Sequence, residues 1–262
     1  MNHREEWHLD TDRIGRRVLV FDCVDSTNSQ AAALAADCAN DGIVILAEEQ
    51  TAGRGQHGRS WHCQRGLGVL LSLVLFPPPA LRRPVILAAW AANAVCETIL
   101  QTSALEPTIK WPNDVLIRKR KVCGILIEQG AGTVVGIGLN LNQRTESFAA
   151  ANLPQAGSLA IFTGQSFAYQ KVARLLIRHL DDEFRRLCQG DLNPLQSSWR
   201  NRLGLQGADV RVECHDAIHY GRLLELTWDG LTLETPSGEV VRLLPESVRH
   251  VTADGHFLSL RS

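Results

Sequence analysis

No cysteine in this chain has a partner at Cys-x-x-Cys spacing, and the seven present (Cys23, Cys38, Cys63, Cys96, Cys123, Cys188, Cys214) make an odd set. That argues against a disulfide framework or a structural zinc site and suits a reducing compartment. Excess charge is missing too: 27 basic and 28 acidic residues leave a formal net charge of −1. A general nucleic-acid-binding surface is therefore not expected. The opening stretch, Met1-Asn-His-Arg-Glu-Glu6, has no apolar signal core, and no apolar run reaches the ~20 residues that cross a bilayer. Internal repeats and low-complexity tracts are absent. The expectation is a cytoplasmic protein with no nucleic-acid and no membrane partner. What is present is ordinary for a globular protein: 262 residues, 45% hydrophobic and 21% charged, enough for one large domain or two modest ones.

The most informative stretch is Gln50-Thr-Ala-Gly-Arg-Gly-Gln-His-Gly-Arg-Ser-Trp61. Glycines let backbone amides approach a ligand, arginines grip phosphate or carboxylate, and an aromatic can cover the site. Gly53, Gly55 and Gly58 satisfy G-x-G-x-x-G, and Gly53 to Ser60 nearly satisfies the Walker A pattern, with Arg59 in place of lysine. Both motifs need a strand before the loop and a helix opening out of it. Ile43-Val-Ile-Leu-Ala47 supplies the strand. After the loop, however, Val69-Leu-Leu-Ser-Leu-Val-Leu-Phe76 runs into Pro77, Pro78 and Pro79, which reads as a second buried strand. Both nucleotide motifs fail on that context, leaving an anion-binding loop or a solvated glycine-arginine turn.

Strand and helix signals alternate along the rest of the chain. The first strand is expected at Arg17-Val-Leu-Val-Phe-Asp22, so about 16 residues precede it, too few for a further domain core. Thr27 and Gln30 have capping-box spacing ahead of an alanine-rich helix over 31–39, where free amide donors can meet a ligand or simply be capped. Helices are expected over Pro84–Gln101 and Phe167–Cys188, the latter broken by Gly190 to Pro194 before a short helix through Trp199. Strand-like runs fall at Thr108–Trp111, Asp114–Ile117, Lys121–Glu128 and Thr133–Leu141. From about Gly207, short alternating strands joined by turns such as Trp228-Asp-Gly230 suggest a small β-barrel. The expected organisation is an α+β domain over 1–205 and a small all-β domain over 206–262.

Three further clusters carry polar chemistry. Ile109-Lys-Trp-Pro-Asn-Asp-Val115 fixes a cation, an aromatic, an amide and a carboxylate around a rigid proline. Asp114 and Asn113 suit magnesium, which takes few protein oxygens alongside substrate phosphates, and an exposed turn with a salt bridge is the plain alternative. Lys121-Val-Cys-Gly-Ile-Leu-Ile-Glu128 puts a lysine at the mouth of an apolar strand, where it can neutralise a reacting carboxylate or phosphate. That lysine also closes the basic run Arg118-Lys-Arg120, as a solvated hairpin would. Gly136-Ile-Gly-Leu-Asn-Leu-Asn142 leaves one strand face free of side chains for a flat ligand or a second backbone, with Asn140 and Asn142 at its end.

In order, and over nearly the whole chain, Ser26-Thr-Asn28, Gln50 with Gly53 to Trp61, Lys110-Trp-Pro-Asn-Asp114, Lys121-Val-Cys-Gly124 and Gly136-Ile-Gly-Leu-Asn140 make the chain resemble the biotin protein ligases. The resemblance implies an α+β catalytic domain of the class II aminoacyl-tRNA synthetase-like, biotin/lipoate-ligase type, a mixed β-sheet with helices, followed by a small SH3-like β-barrel. It implies biotin and ATP as substrates, Mg2+, and a biotin carboxyl carrier protein as partner. By the same resemblance Ser26, Thr27, Asn28 and Gln50 contact biotin's polar ring atoms, and Gly124 and Gly138 line its pocket. Arg54, Gly55, Gln56 and Arg59 surround the carboxylate and phosphate, with Trp61 beside the adenylate. Lys121 bridges the two reacting groups. Lys110, Asn113, Asn140 and Asp114 serve ATP, with Asp114 also a magnesium ligand and a candidate base. Lys121, Arg54 and Asp114 form the implied catalytic set.

This chain departs from the family at Gln56, where arginine is frequent. The loss of that charge is expected to weaken retention of the adenylate, although Gln56 keeps a donor and an acceptor. Some members carry an N-terminal DNA-binding domain and repress transcription; the short stretch before Arg17 argues against that here. A lipoate or octanoate ligase of the same fold and a non-catalytic biotin- or nucleotide-binding regulator are the alternatives. His215 and His219 beside Cys214 are a weak metal signal in a hairpin, and Cys123 is expected to pack rather than react. A homodimer is left open.

Overall fold

The computed structural model describes residues 3–253. Eight strands form one mixed sheet: β1 (Glu5–Trp7), β2 (Val18–Val24), β3 (Val44–Gln50), β4 (Gly68–Leu75), β5 (Thr108–Lys110), β6 (Asp114–Ile117), β7 (Arg120–Gln129) and β8 (Thr133–Asn140). Their order is β1-β2-β3-β4-β8-β7-β6-β5, parallel between β2 and β3 and antiparallel at the other joints. The helices are α1 (Thr27–Leu34), α2 (Pro84–Ser103), α3 (Thr145–Ala150), α4 (Leu159–Thr163), α5 (Tyr169–Cys188) and α6 (Leu192–Leu203).

The two sheet faces are covered unequally. On one face α2 and α5 pack on the sheet and on each other, and α6 packs on α2 and β5. Here β8 contributes Val135, Ile137 and Leu139, and β7 contributes Cys123 and Ile125, all in the main apolar cluster. Val172, Leu176, Leu180, Phe184 and Leu187 of α5 recur at helical spacing on that side, and Trp90 of α2 donates its indole N–H to Leu180 O at 3.1 Å. The opposite face carries a smaller cluster, including Phe21, Ile45, Val74 and Val134, under α1, which reaches β3, β4 and β8. Beyond α1 that second face is where a pocket can form.

A second, five-stranded antiparallel sheet follows: β9 (Asp209–Cys214), β10 (Ile218–Thr227), β11 (Gly230–Glu234), β12 (Val240–Leu243) and β13 (Val248–Ala253), in the order β12-β11-β10-β9-β13. It is the SH3-like element. Val210, Val212, Leu223, Leu231 and Leu233 belong to the same apolar cluster as the main sheet, so the two units share one core. Trp199 of α6 is the seam, stacked on Trp228 at 5.0 Å between ring centroids and tilted against Trp111 at 5.6 Å. Trp111 also donates its indole N–H to Val248 O at 3.3 Å, and Arg83 pairs with Asp229 at 2.6 Å.

Several expectations are corrected. The first described strand is β1, not the run at Arg17; it is three residues long and pairs antiparallel with β2. Thr27 and Gln30 do not form a capping box. Ser26 is the N-cap without a side-chain bond, Thr27 binds Gln50, and Gln30 donates to Asp25. The helix there ends at Leu34, with a separate 3-10 turn at Cys38–Asn40. Pro194 lies in the first turn of α6 rather than in the break, where its missing N–H costs no helical bond. Finally, α2 is long and apolar enough to cross a membrane by length and composition, but 72% of that window is buried inside the fold as the core helix.

Glu48 of β3 ties four segments together. Its carboxylate accepts from Arg4 before β1 at 2.7 Å, from Arg65 after the glycine-arginine loop at 2.9 Å and from Tyr169 of α5 at 2.8 Å. The bond from Arg4, opposed by burial and aided by Tyr169 and Arg65, holds the carboxyl at about 2, below the ordinary 4.5. The folded chain therefore binds this proton less tightly than the unfolded one. The associated stability is complete above pH 4.5 and is lost as pH falls towards 2. Urea unfolding from pH 6 down to 2.5 is expected to show a shallower acid loss in Glu48→Gln than in the parent. Parallel profiles would remove Glu48 from this role.

Candidate active site

Strand register builds the floor of the site. Gly138 of β8 pairs with Gly124 of β7, Gly124 with Asp114 of β6, and Asp114 with Lys110 of β5. Directly paired residues share a face, so these four form one row on the open side of the sheet. Lys121 joins them because of a bulge: the β6–β7 register steps from Val115–Cys123 to Leu116–Lys121, with Val122 extra. Val122 and Cys123 are both fully buried against the helices, and the parity change returns Lys121 to the side of Gly124. Lys121 Nζ lies 2.5 Å from Asp114 Oδ1.

A polar wall stands at the start of α1. Gln50 Oε1 accepts from Thr27 N at 2.7 Å and from Thr27 Oγ1 at 3.0 Å. Ser72, fully buried in β4, reaches Thr27 Oγ1 at 2.7 Å and Asn28 Oδ1 at 2.5 Å. Asn28 Nδ2 then donates to Glu128 Oε2 at 2.7 Å. Gly136 makes room for this arrangement, since a Cβ there would sit 2.0 Å from Asn28 Oδ1.

The glycine-arginine loop folds over the floor as a hairpin. Trp61 N donates to Gly53 O at 2.9 Å, Gly55 N donates to Arg59 O at 2.6 Å, and Arg54 bridges Ser60. The tip, His57-Gly58, is left-handed. At its end the Trp61 indole lies on the two floor glycines: a Cβ would be 2.3 Å from it at Gly138 and 2.9 Å at Gly124. Lys121 Nζ is 5.7 Å from the Trp61 ring centroid, within cation–π range.

Two cavities meet beneath this loop. The inner one, about 50 Å³, has Ser26, Thr27, Asn28 and Gln50 in its wall. The outer one, about 260 Å³, is bordered by the cations Arg59, Lys110 and Lys121 and by one carboxylate, Asp114. Gly55, Gln56, Trp61, Asn113 and Lys121 border both. Such a pair of spaces accepts a polar ring on one side and a polyanion on the other, with Lys121 at the junction. Among the described residues no three His, Cys, Asp or Glu side chains converge as a metal cage, at Cys214, His215 and His219 or elsewhere. Asp114 Oδ1 pairs with Lys121 at 2.5 Å and Asn113 donates its amide N–H to Ile125 O at 2.6 Å, so Asp114 Oδ2 and the Asn113 amide oxygen are the oxygens that a phosphate-borne ion would meet here.

The structure thus gathers the expected residues at one place, with two qualifications. Asn140 borders the outer cavity, but its amide donates to Gly157 O and its oxygen accepts from Gln143. Trp61 itself covers the Gly124 and Gly138 face that was expected to take the ligand. Cys123 is fully buried, which pushes its thiol well up and fits packing rather than nucleophilic attack. Three residues were missed. Ser72 had a signal, a hydroxyl within an apolar strand; Glu128 closes the run that Lys121 opens. His250 comes from β13 to border the outer cavity. Burial lowers the His250 pKa, and Lys110, Arg59 and His57 add to this against Glu213.

Gly138→Ala should lift Trp61 off the floor, and overpacking of ~1–3 kcal/mol predicts roughly tenfold faster tryptic cleavage after Arg54 and Arg59. An unchanged cleavage rate would mean that the indole does not hold the hairpin down.

Residues 20–142 match the Biotin/lipoate A/B protein ligase family. The chain is 33% identical over 238 residues to the bifunctional ligase/repressor BirA of Bacillus subtilis, covering 88% of this chain and 73% of that protein. It is 35% identical over 238 residues to the biotin–[acetyl-CoA-carboxylase] ligase of Mycobacterium tuberculosis, covering 83% and 86%. In fold it is similar to the biotin protein ligase from Aquifex aeolicus solved in complex with biotin and ATP, with a TM-score of 0.77, 24% identity, and coverage of 90% of this chain and 99% of that one. With the ordered motifs converging on one pocket, and with relatives matched over most of both chains, this chain belongs to the biotin/lipoate A/B protein ligase family as one of its biotin protein ligases.

Proposed function

We propose that the inner cavity takes biotin, the outer one takes ATP, and Lys121 joins their reacting ends. The observation that carries this reading is the position of Lys121, which borders both cavities and sits on the glycine row. In the first step an oxygen of the biotin carboxylate attacks the α-phosphorus of ATP. A P–O bond to the β-phosphate breaks, giving biotinyl-5′-adenylate and pyrophosphate. Two anions must approach for that attack, and the Lys121 ammonium offsets their repulsion while Arg54 and Arg59 hold charge from the loop. Magnesium accompanying ATP would shield the polyphosphate charge, and Asp114 with Asn113 would hold that ion. Ser26, Thr27, Asn28 and Gln50 form the wall that reads biotin's polar ring.

In the second step the lysine amine of a biotin carboxyl carrier domain attacks the acyl carbon of the anhydride. The C–O bond to the phosphate breaks, AMP leaves, and the amine's proton passes to a base, for which Asp114, the carboxylate bordering the outer cavity, is the candidate. The hairpin over the floor excludes water from the anhydride until the carrier arrives. The unpaired state of all seven cysteines supports a reducing, cytoplasmic setting.

Incubation with biotin, ATP, magnesium and a carrier domain is expected to add one biotinyl group to one lysine, read by mass. Biotin, and not lipoate, is expected to stimulate ATP–pyrophosphate exchange; the reverse preference would make the chain a lipoate ligase. Lys121→Ala is expected to slow exchange by about 10²–10³, the scale of one lost electrostatic contact to a transition state. Full carrier labelling by that variant would overturn the role of Lys121, whereas a parent chain that binds biotin and labels no carrier would favour a binding regulator. Gln56→Arg is expected to release the adenylate more slowly than the parent, and equal dissociation rates would deny any role to the missing charge.

A further inference from the structure

We propose that Glu128 is a positioning residue that clasps the loop to the biotin-reading wall, an inference resting on the biotin ligase reading above. Glu128 lies four positions after Gly124 in β7 and pairs with Val134, which puts its side chain on the site face. A single oxygen, Oε2, accepts from two separate elements: Asn28 Nδ2 at 2.7 Å, from α1, and Arg54 Nη2 at 3.0 Å, from the hairpin. Arg54 and Glu128 keep 44% and 37% side-chain exposure, and an ion pair so open contributes little to folding. Its effect is geometric.

The two bonds divide the work. Asn28 has its oxygen on Ser72 and its nitrogen on Glu128, so the orientation of its amide is set from both ends. Glu128 therefore decides which edge of Asn28 faces the inner cavity. Arg54 gives one of its five N–H donors to Glu128 and borders the inner cavity, leaving donors for a carboxylate or phosphate. Glu128 borders the outer side of the hairpin and not the inner cavity, so it holds Arg54 without taking the ligand's place. Closing the hairpin and orienting Asn28 are thus one event.

The test compares Glu128→Gln and Glu128→Ala in the full chain, reading biotin affinity, release of preformed biotinyl-5′-adenylate, and tryptic cleavage after Arg54. Glutamine keeps an acceptor for Asn28 and loses the charge for Arg54. Glu128→Gln is expected to keep biotin affinity within about twofold while releasing adenylate and opening to trypsin about tenfold faster. Glu128→Ala is expected to show the same opening and, in addition, about tenfold weaker biotin binding. Unchanged release and cleavage in both variants would overturn the clasp, as would an equal loss of biotin affinity in both. A parent chain that makes no adenylate refutes the ligase reading, whereas the cleavage and biotin-affinity comparisons still judge Glu128. A purely structural role would lower the urea midpoint of Glu128→Gln, and the clasp predicts a parental midpoint for that variant.

Discussion

The site depends on one extra residue in β7. Without the bulge at Val122, strand alternation would put Lys121 and Gly124 on opposite faces, because they are three positions apart. Lys121 would then enter the apolar layer beneath α2, an unpaired buried ammonium with a desolvation cost of several kcal/mol. With the bulge, Val122 and Cys123 both go into that layer. The glycine row, Asp114 and Lys121 then share one surface. Two apolar neighbours, one of them a valine that fills the helix face, make this arrangement the stable one.

Once the floor is set, the other parts reach it from separate directions. The start of α1 and Gln50 supply the polar wall, and the hairpin lays Trp61 across Gly124 and Gly138. The second sheet contributes through the tryptophan stack, which joins Trp111 of the turn between β5 and β6 to Trp199 and Trp228, and through His250 at the outer cavity. The SH3-like element thus helps hold the turn carrying Asn113 and Asp114 and is part of the site's architecture. The inner cavity is small because an indole occupies the side-chain-free face, so the hairpin's position and the space for a ligand are set together.

Much of this was legible in the residues. Apolar β-branched runs located β2 to β4 and β6 to β8, and the period of α5 was clear, because burial of a whole face leaves a repeated pattern. β1 was missed: three residues, Glu5-Glu-Trp7, carry too little pattern, and pairing with β2 makes them a strand. Local rules also misread Thr27, whose capping-box spacing was overridden by Gln50, a partner at the end of β3. The bulge is invisible in the sequence of β7 because it exists only relative to β6. The ordered motifs identified the residues of the pocket, while Ser72, Glu128 and His250 entered through tertiary contacts that no spacing along the chain records.

The central proposal is that the biotin carboxylate itself attacks the α-phosphorus of ATP between the two cavities. Oxygen labelling tests it most directly. Biotin carrying ¹⁸O in both carboxylate oxygens, supplied with ATP and the carrier domain, should deliver one ¹⁸O atom into the phosphate of AMP for each biotin transferred. Label in pyrophosphate or inorganic phosphate, or AMP without label, would contradict it.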